Sequence, residues 1–113
     1  TLATMSASGK PGWDSMFAPQ VAGFPKANLN DLNSVIACIT DNTVAVMVEP
    51  VQGEGGFIIP PKGFLPGLSK FATDNGIVFI ADEVQTGFAR TGNMFACEDE
   101  NVVPERDFVA RKI

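Results

Sequence analysis

Val44-Ala45-Val46-Met47-Val48 and Ile77-Val78-Phe79-Ile80-Ala81 are the two stretches that decide the fold. Each is a continuous apolar run of β-branched character with no polar alternation, the pattern of a strand buried on both faces of a parallel sheet. Each also stops abruptly at acid, the first at Glu49-Pro50 and the second at Asp82-Glu83. Between them Phe64, Leu65, Leu68, Phe71 and Ala72 mark one face of a helix that Asn75-Gly76 ends. Pro66 is tolerated because it falls near that helix's first turn. Strands over 44–48 and 77–81 joined by a helix over 63–75 make a parallel β-α-β unit, so the fold class is α/β.

Outward from this unit the signals are local. Thr1 to Ser8 reads as the last turns of a helix that stops at Gly9. Residues 9 to 29 hold Pro11, Pro19 and Pro25 with Gly12 and Gly23, which predicts a long ordered loop pinned by Trp13, Phe17 and Phe24. Asn30 is placed to cap a short helix carrying Leu32, Val35, Ile36 and Ile39. Met94 to Asn101 reads as a short acidic helix, and Phe108-Val109-Ala110 opens a third strand. Because the chain starts at Thr1 rather than Met, residues 1–113 read as one partial domain excised from a longer protein. Its tail, 105–113, is atypical: Arg106, Arg111 and Lys112 put three of eight basic groups in the final eight residues.

Composition excludes several classes of function. Of 113 residues 45% are apolar and 19% charged, which is too apolar for disorder, and no run approaches the roughly 20 apolar residues of a membrane span. Eight basic against 13 acidic side chains, a net charge of −5, rules against a nucleic-acid surface. With no histidine there is neither a Ser-His-Asp relay nor a His-ligated metal, and no metal is expected. Cys38 and Cys97, each among apolar neighbours, read as reduced fillers. No secretory, lipidation or Arg-rich targeting motif opens the chain, and the expected location is the cytoplasm.

Chemistry therefore falls to carboxylates and lysines. Glu49 and Asp82 close their strands at the C-terminal edge, where open α/β sheets bind ligands. Val84 and Gln85 add a branched apolar group and an amide directly after the second strand. The rival reading is that each carboxylate only caps a helix or sits in a loop. The glycines of Gln52-Gly53-Glu54-Gly55-Gly56 match neither the dinucleotide nor the Walker A spacing, and read as a tight turn that brings backbone close to a ligand. Lys62 and Lys70 belong to the solvent face of the helix.

The run Glu49-Pro-Val-Gln-Gly-Glu-Gly-Gly, then Ile80-Ala-Asp-Glu-Val-Gln-Thr-Gly with Arg90-Thr-Gly, resembles the class III aminotransferases, pyridoxal-phosphate enzymes of fold type I. Thr1-Leu-Ala-Thr, Phe17-Ala-Pro and Gly23-Phe24 look most like the acetylornithine branch, with 4-aminobutyrate aminotransferase close behind. The resemblance implies a middle segment of the large domain of a homodimeric enzyme that moves an ω-amino group from an acetylornithine-like amine to 2-oxoglutarate. It implies that pyridoxal 5'-phosphate is the cofactor, with Asp82 on the ring nitrogen, Val84 on one ring face and Gln85 on the phenolic oxygen. Glu49 would pair with a distant arginine. The family's Schiff-base lysine comes seven places after a proline, where this chain has Arg111 after Pro104, with Lys112 one place late. The 113-residue chain alone is therefore expected to be inactive. A 4-aminobutyrate aminotransferase or another pyridoxal-phosphate enzyme of the same fold such as an aminomutase, and a non-catalytic α/β dimerisation or regulatory module, are the alternatives left open.

Overall fold

The computed structural model describes residues 1–108, which divide into two compact units, Thr1–Cys38 and Ile39 onward. The second unit holds β1 (Ala45–Val48), α4 (Phe64–Asp74), β2 (Val78–Asp82), a 3-10 helix (Ala96–Glu100) and β3 (Arg106–Phe108). The strands form one sheet in the order β1-β2-β3, with both neighbouring pairs parallel. Val46 lies beside Phe79 and Val48 beside Ala81, while Ile80 lies beside Arg106. The two apolar runs are thus adjacent parallel strands joined through one helix, as their pattern predicts.

The core is the contact of β2 with α4. Phe79 and Ala81 are fully buried, and so, nearly, are Phe64, Leu65, Leu68 and Ala72 from the helix. Burying one such large side chain is worth about 1.5–3 kcal/mol, so this small layer holds the unit together. Helix α4 begins at Gly63, and Pro66 falls in its first turn, where a missing N–H breaks no intrahelical bond. Its end is fixed more firmly. Ile77 N–H donates to the Ala72 carbonyl at 2.9 Å and Gly76 N–H to that of Thr73 at 3.2 Å, a Schellman closure. Gly76 occupies the left-handed region (φ 67°) that this closure requires, and it turns the chain into β2.

Several details differ from the sequence reading. The strands are not buried on both faces: Met47 is 49% and Val78 38% exposed, on the side away from Phe79 and Ala81. Among the described residues of this unit the sheet has one helical layer, α4, and one layer covers one face. The third strand is described over Arg106–Phe108, so it starts two places before the expected Phe108, while Val109 and Ala110 lie outside the described residues. Just before it the Glu105 carboxylate accepts the Phe79 N–H at 2.9 Å, so a side chain extends the hydrogen bonding of the edge. The acidic helix expected over 94–101 is a five-residue 3-10 helix, with the Phe95 N–H donated to Glu98 Oε1 at 3.1 Å. Such tight helices run only in short pieces.

The first unit holds α1 (Leu2–Ala7), α2 (Trp13–Met16) and α3 (Leu32–Cys38). Asn30 is not the cap of α3, because its φ of 62° is left-handed. Asp31 takes that role, accepting the Ser34 N–H at 3.1 Å. The loop is also held differently from expectation. Phe17 and Phe24 are 39% and 41% exposed, and Phe17 packs edge-on against Trp13 with 6.1 Å between centroids. The buried anchor is Ser6, whose hydroxyl accepts the Val21 N–H at 2.9 Å and whose carbonyl accepts a hydrogen bond from Lys26 Nζ. Partial burial lowers the Lys26 pKa from its ordinary value.

Truncating Phe79 to Ala in the full-length protein is expected to cost about 3–5 kcal/mol, against less than about 0.5 kcal/mol for Val103→Ala at a position 86% exposed. Chemical unfolding followed by circular dichroism measures both, and equal costs would contradict the core described here.

Candidate functional site

Glu49 and Asp82 each follow by one residue the paired positions Val48 and Ala81, so the register sets them side by side at the C-terminal edge of the sheet. Alternation along a strand puts both on the side of Met47 and Ile80, away from α4. Both are half-buried.

The Glu49 carboxylate acts first on its own loop. Its Oε2 accepts the Gly53 N–H at 2.8 Å, curling the chain back after Pro50. Gln52 then bridges Ile58 antiparallel through two 3.0 Å backbone hydrogen bonds, closing a turn around Gly53–Phe57. A Cβ at Gly53 would overlap the Gln85 side-chain amide, which would have to swing aside. The glycine run is therefore a close-approach turn, and what approaches it is Gln85 from the loop after β2. Between these loops lies a cleft of about 370 Å³, bordered by Val51, Gly53, Gln85, Thr86, Arg90 and Thr91.

Asp82 stands beside that cleft rather than in its wall. Its Oδ1 accepts the Val84 N–H at 3.1 Å, and its Oδ2 takes no hydrogen bond among the described residues. Val84 is 44% exposed and Gln85 is exposed as well. Glu49, Gly53 and Gln85 thus gather around one turn, with Asp82 at the adjoining strand end. Arg111 and Lys112 lie outside the described residues. Lys62 and Lys70 are solvent-facing, and Lys70 pairs with Asp74 at 2.6 Å in an exposed i,i+4 contact of little energetic weight.

Sequence reasoning passed over Glu83. Its side chain is fully buried, and its carboxylate accepts the Thr86 hydroxyl, the Ala96 N–H at 3.1 Å and the Cys97 N–H at 3.0 Å. The one signal available was Glu83 with Thr86 three places later, directly after a buried strand. Arg90 and Thr91 in the cleft wall were seen only as motif residues. No helix of the described chain is long and apolar enough to cross a membrane.

A sequence profile described as aminotransferase class-III matches residues 1–113. Acetylornithine aminotransferase 2 of Bordetella pertussis is 61% identical over 113 residues, all of this chain and 28% of that protein. The ornithine aminotransferase of Oceanobacillus iheyensis is 50% identical over 105 residues, 93% of this chain and 26% of its own length. Among solved structures, the ornithine aminotransferase of Toxoplasma gondii superposes with a TM-score of 0.86 at 32% identity, covering 93% of this chain and 25% of that one. The chain thus spans little more than a quarter of the relatives it matches. Pyridoxal phosphate is the cofactor of class III aminotransferases, whose large domain has the fold type I architecture. With the profile matched from first residue to last, and the acidic strand ends and close-approach turn in place, this chain belongs to the class-III aminotransferase family.

Proposed function

We propose that the full-length protein is a pyridoxal-phosphate aminotransferase that moves the ω-amino group of acetylornithine or ornithine to 2-oxoglutarate, and that this chain is a middle segment of its large domain. Relatives named for both amines support the pair of donors. A cytoplasmic homodimer is what the family resemblance implies for the intact protein.

The observation that carries the reading is Asp82 Oδ2, an acceptor without a partner among the described residues, at a sheet edge shared with Glu49 and one loop away from the exposed Gln85 amide. This donor and acceptor set fits the cofactor. When bound, pyridoxal phosphate supplies an electron-poor ring that takes up the electron pair released at the substrate carbon. Asp82 would accept a charge-assisted hydrogen bond from the ring N–H and keep the proton on the nitrogen, since a nearby anion raises a pyridine pKa. Its hydrogen bond from Val84 N–H occupies Oδ1 and leaves Oδ2 for the ring N–H. The exposed Val84 side chain offers an apolar surface for one ring face, and Gln85 an amide donor for the phenolic oxygen. Glu49, anchored through Gly53, remains able to hold a cationic side chain and release it when a second substrate carboxylate arrives.

Asp82→Asn in the full-length enzyme is expected to lower kcat by about two to three orders of magnitude while leaving the circular dichroism spectrum intact, because an amide cannot keep the ring nitrogen protonated. Steady-state kinetics with acetylornithine, ornithine and 2-oxoglutarate test this, and near-normal turnover would remove Asp82 from the role. Gly53→Ala, which displaces the Gln85 amide, is expected to weaken cofactor binding by about three- to tenfold, the equivalent of one hydrogen bond, in a fluorescence titration of the apoenzyme.

The 113-residue chain by itself is expected to transfer no amino group even with cofactor added, because the guanidinium of Arg111 stays charged and forms no Schiff base. Borohydride reduction followed by peptide mapping checks the point. A pyridoxyl group on Lys112 together with measurable transfer would contradict it.

A further inference from the structure

Glu83 is the most deeply buried charge-bearing side chain described in this chain, with no solvent exposure, and in the sequence it separates Asp82 from Val84 and Gln85, the other residues of this stretch offered to the cofactor. A carboxylate removed from water is tolerated only when its oxygens are met by donors, and for stability alone an apolar side chain of similar volume serves as well or better. Three donors meet this one, from two separate places. Thr86 donates from within the loop itself, while Ala96 and Cys97 donate backbone N–H groups from the first turn of the 3-10 helix, 13 and 14 residues further along. The Glu83 carbonyl also accepts the Gly87 N–H at 2.8 Å.

The consequence falls on the two residues in between. Glu83 and Thr86 are buried and bonded to each other, so Val84 and Gln85 are held at the exposed tip of a closed four-residue turn. Its descending limb carries Phe88 and Ala89 at φ of 59° and 60°, two consecutive non-glycine residues in the left-handed region. Such a backbone persists only where its surroundings fix it. The Glu83 tie to the 3-10 helix is one fixture, and the 3.3 Å hydrogen bond from Ala89 N–H to the Met94 carbonyl is another.

Resting on the cofactor reading above, we propose that Glu83 is a positioning residue: its buried carboxylate locks the turn after β2 onto the 3-10 helix and so sets where the Gln85 amide meets the phenolic oxygen of pyridoxal phosphate. Glu83 touches neither cofactor nor substrate. It acts through Gln85, whose side-chain amide lies against Gly53.

The test uses the full-length holoenzyme and a readout that a purely structural role does not move, the pH midpoint of the bound cofactor's absorbance change. An amide hydrogen bond favours the ionised phenolic oxygen, so Gln85→Ala is expected to raise that midpoint by about half to one pH unit. Glu83→Gln, which turns an NH2 toward donors, is expected to raise it in the same direction by a comparable amount. Thr86→Val removes one donor without stranding the charge and is expected to give a smaller rise in a protein of near-normal Tm, which keeps the question open to test should Glu83→Gln fail to fold. Graded shifts in this order support the proposal. If Gln85→Ala moves the midpoint while Glu83→Gln or, should that variant not fold, Thr86→Val leaves it unmoved, the positioning role is overturned and the cofactor reading stands. An unmoved midpoint in Gln85→Ala itself overturns both.

Discussion

The parallel pairing of Val48 with Ala81 is the constraint on which the rest of the molecule depends. Once those residues are neighbours, Glu49 and Asp82 must leave the sheet together at the same edge and on the same side. A slip of one residue would turn every side chain of one strand to the other face and part the two acids. What enforces the register is the layer beneath: Phe79 and Ala81 have no exposure, and they are covered by an α4 whose two ends are fixed by Gly63 and the Gly76 closure.

Carboxylates do much of the local work at the strand ends, and in each case the partner is a backbone N–H. Glu49 takes Gly53, Asp82 takes Val84, Glu83 takes Ala96 and Cys97, and Glu105 takes Phe79. Loops at the edge of a parallel sheet have N–H groups left outside the ladder, and an acidic side chain meets them with a stronger, charge-assisted bond than a neutral acceptor would. The acidic balance of the chain is in part this use of acids as backbone anchors. That places the bland reading of Glu49 and Asp82, as loop-closing residues, alongside the chemical one: each is a loop anchor, and Asp82 has an oxygen to spare.

Under the function proposed above these anchors have a purpose. A planar aromatic cofactor needs its ring nitrogen, one face and its phenolic oxygen met from fixed directions, because small misplacement of a reacting group costs large factors in rate. On the proposed reading three structural features would supply those directions: a strand end for Asp82, a closed turn for Val84 and Gln85, and a glycine against which the Gln85 amide lies.

The sequence by itself determined the strands, the helix between them and the acids at their ends, because apolar runs of period-free β-branched residues and a helical apolar stripe have few alternatives. It also determined the family, through motifs long enough to be specific. It misjudged how much of each strand is covered, since continuous apolar runs report what a strand is built to bury and not how many layers the chain in hand supplies to cover it. It missed Asp31 as the cap of α3 by one position, because the left-handed turn at Asn30 is a conformational choice that Asn and Asp both permit. Only the tertiary structure decided that the Gln85 amide lies against Gly53, and that Glu83, one letter in an acidic pair, is buried while its neighbour Asp82 is not. Those facts join residues 13 to 32 places apart, and no local pattern in a single sequence encodes which distant N–H or side chain a carboxylate or a glycine will meet.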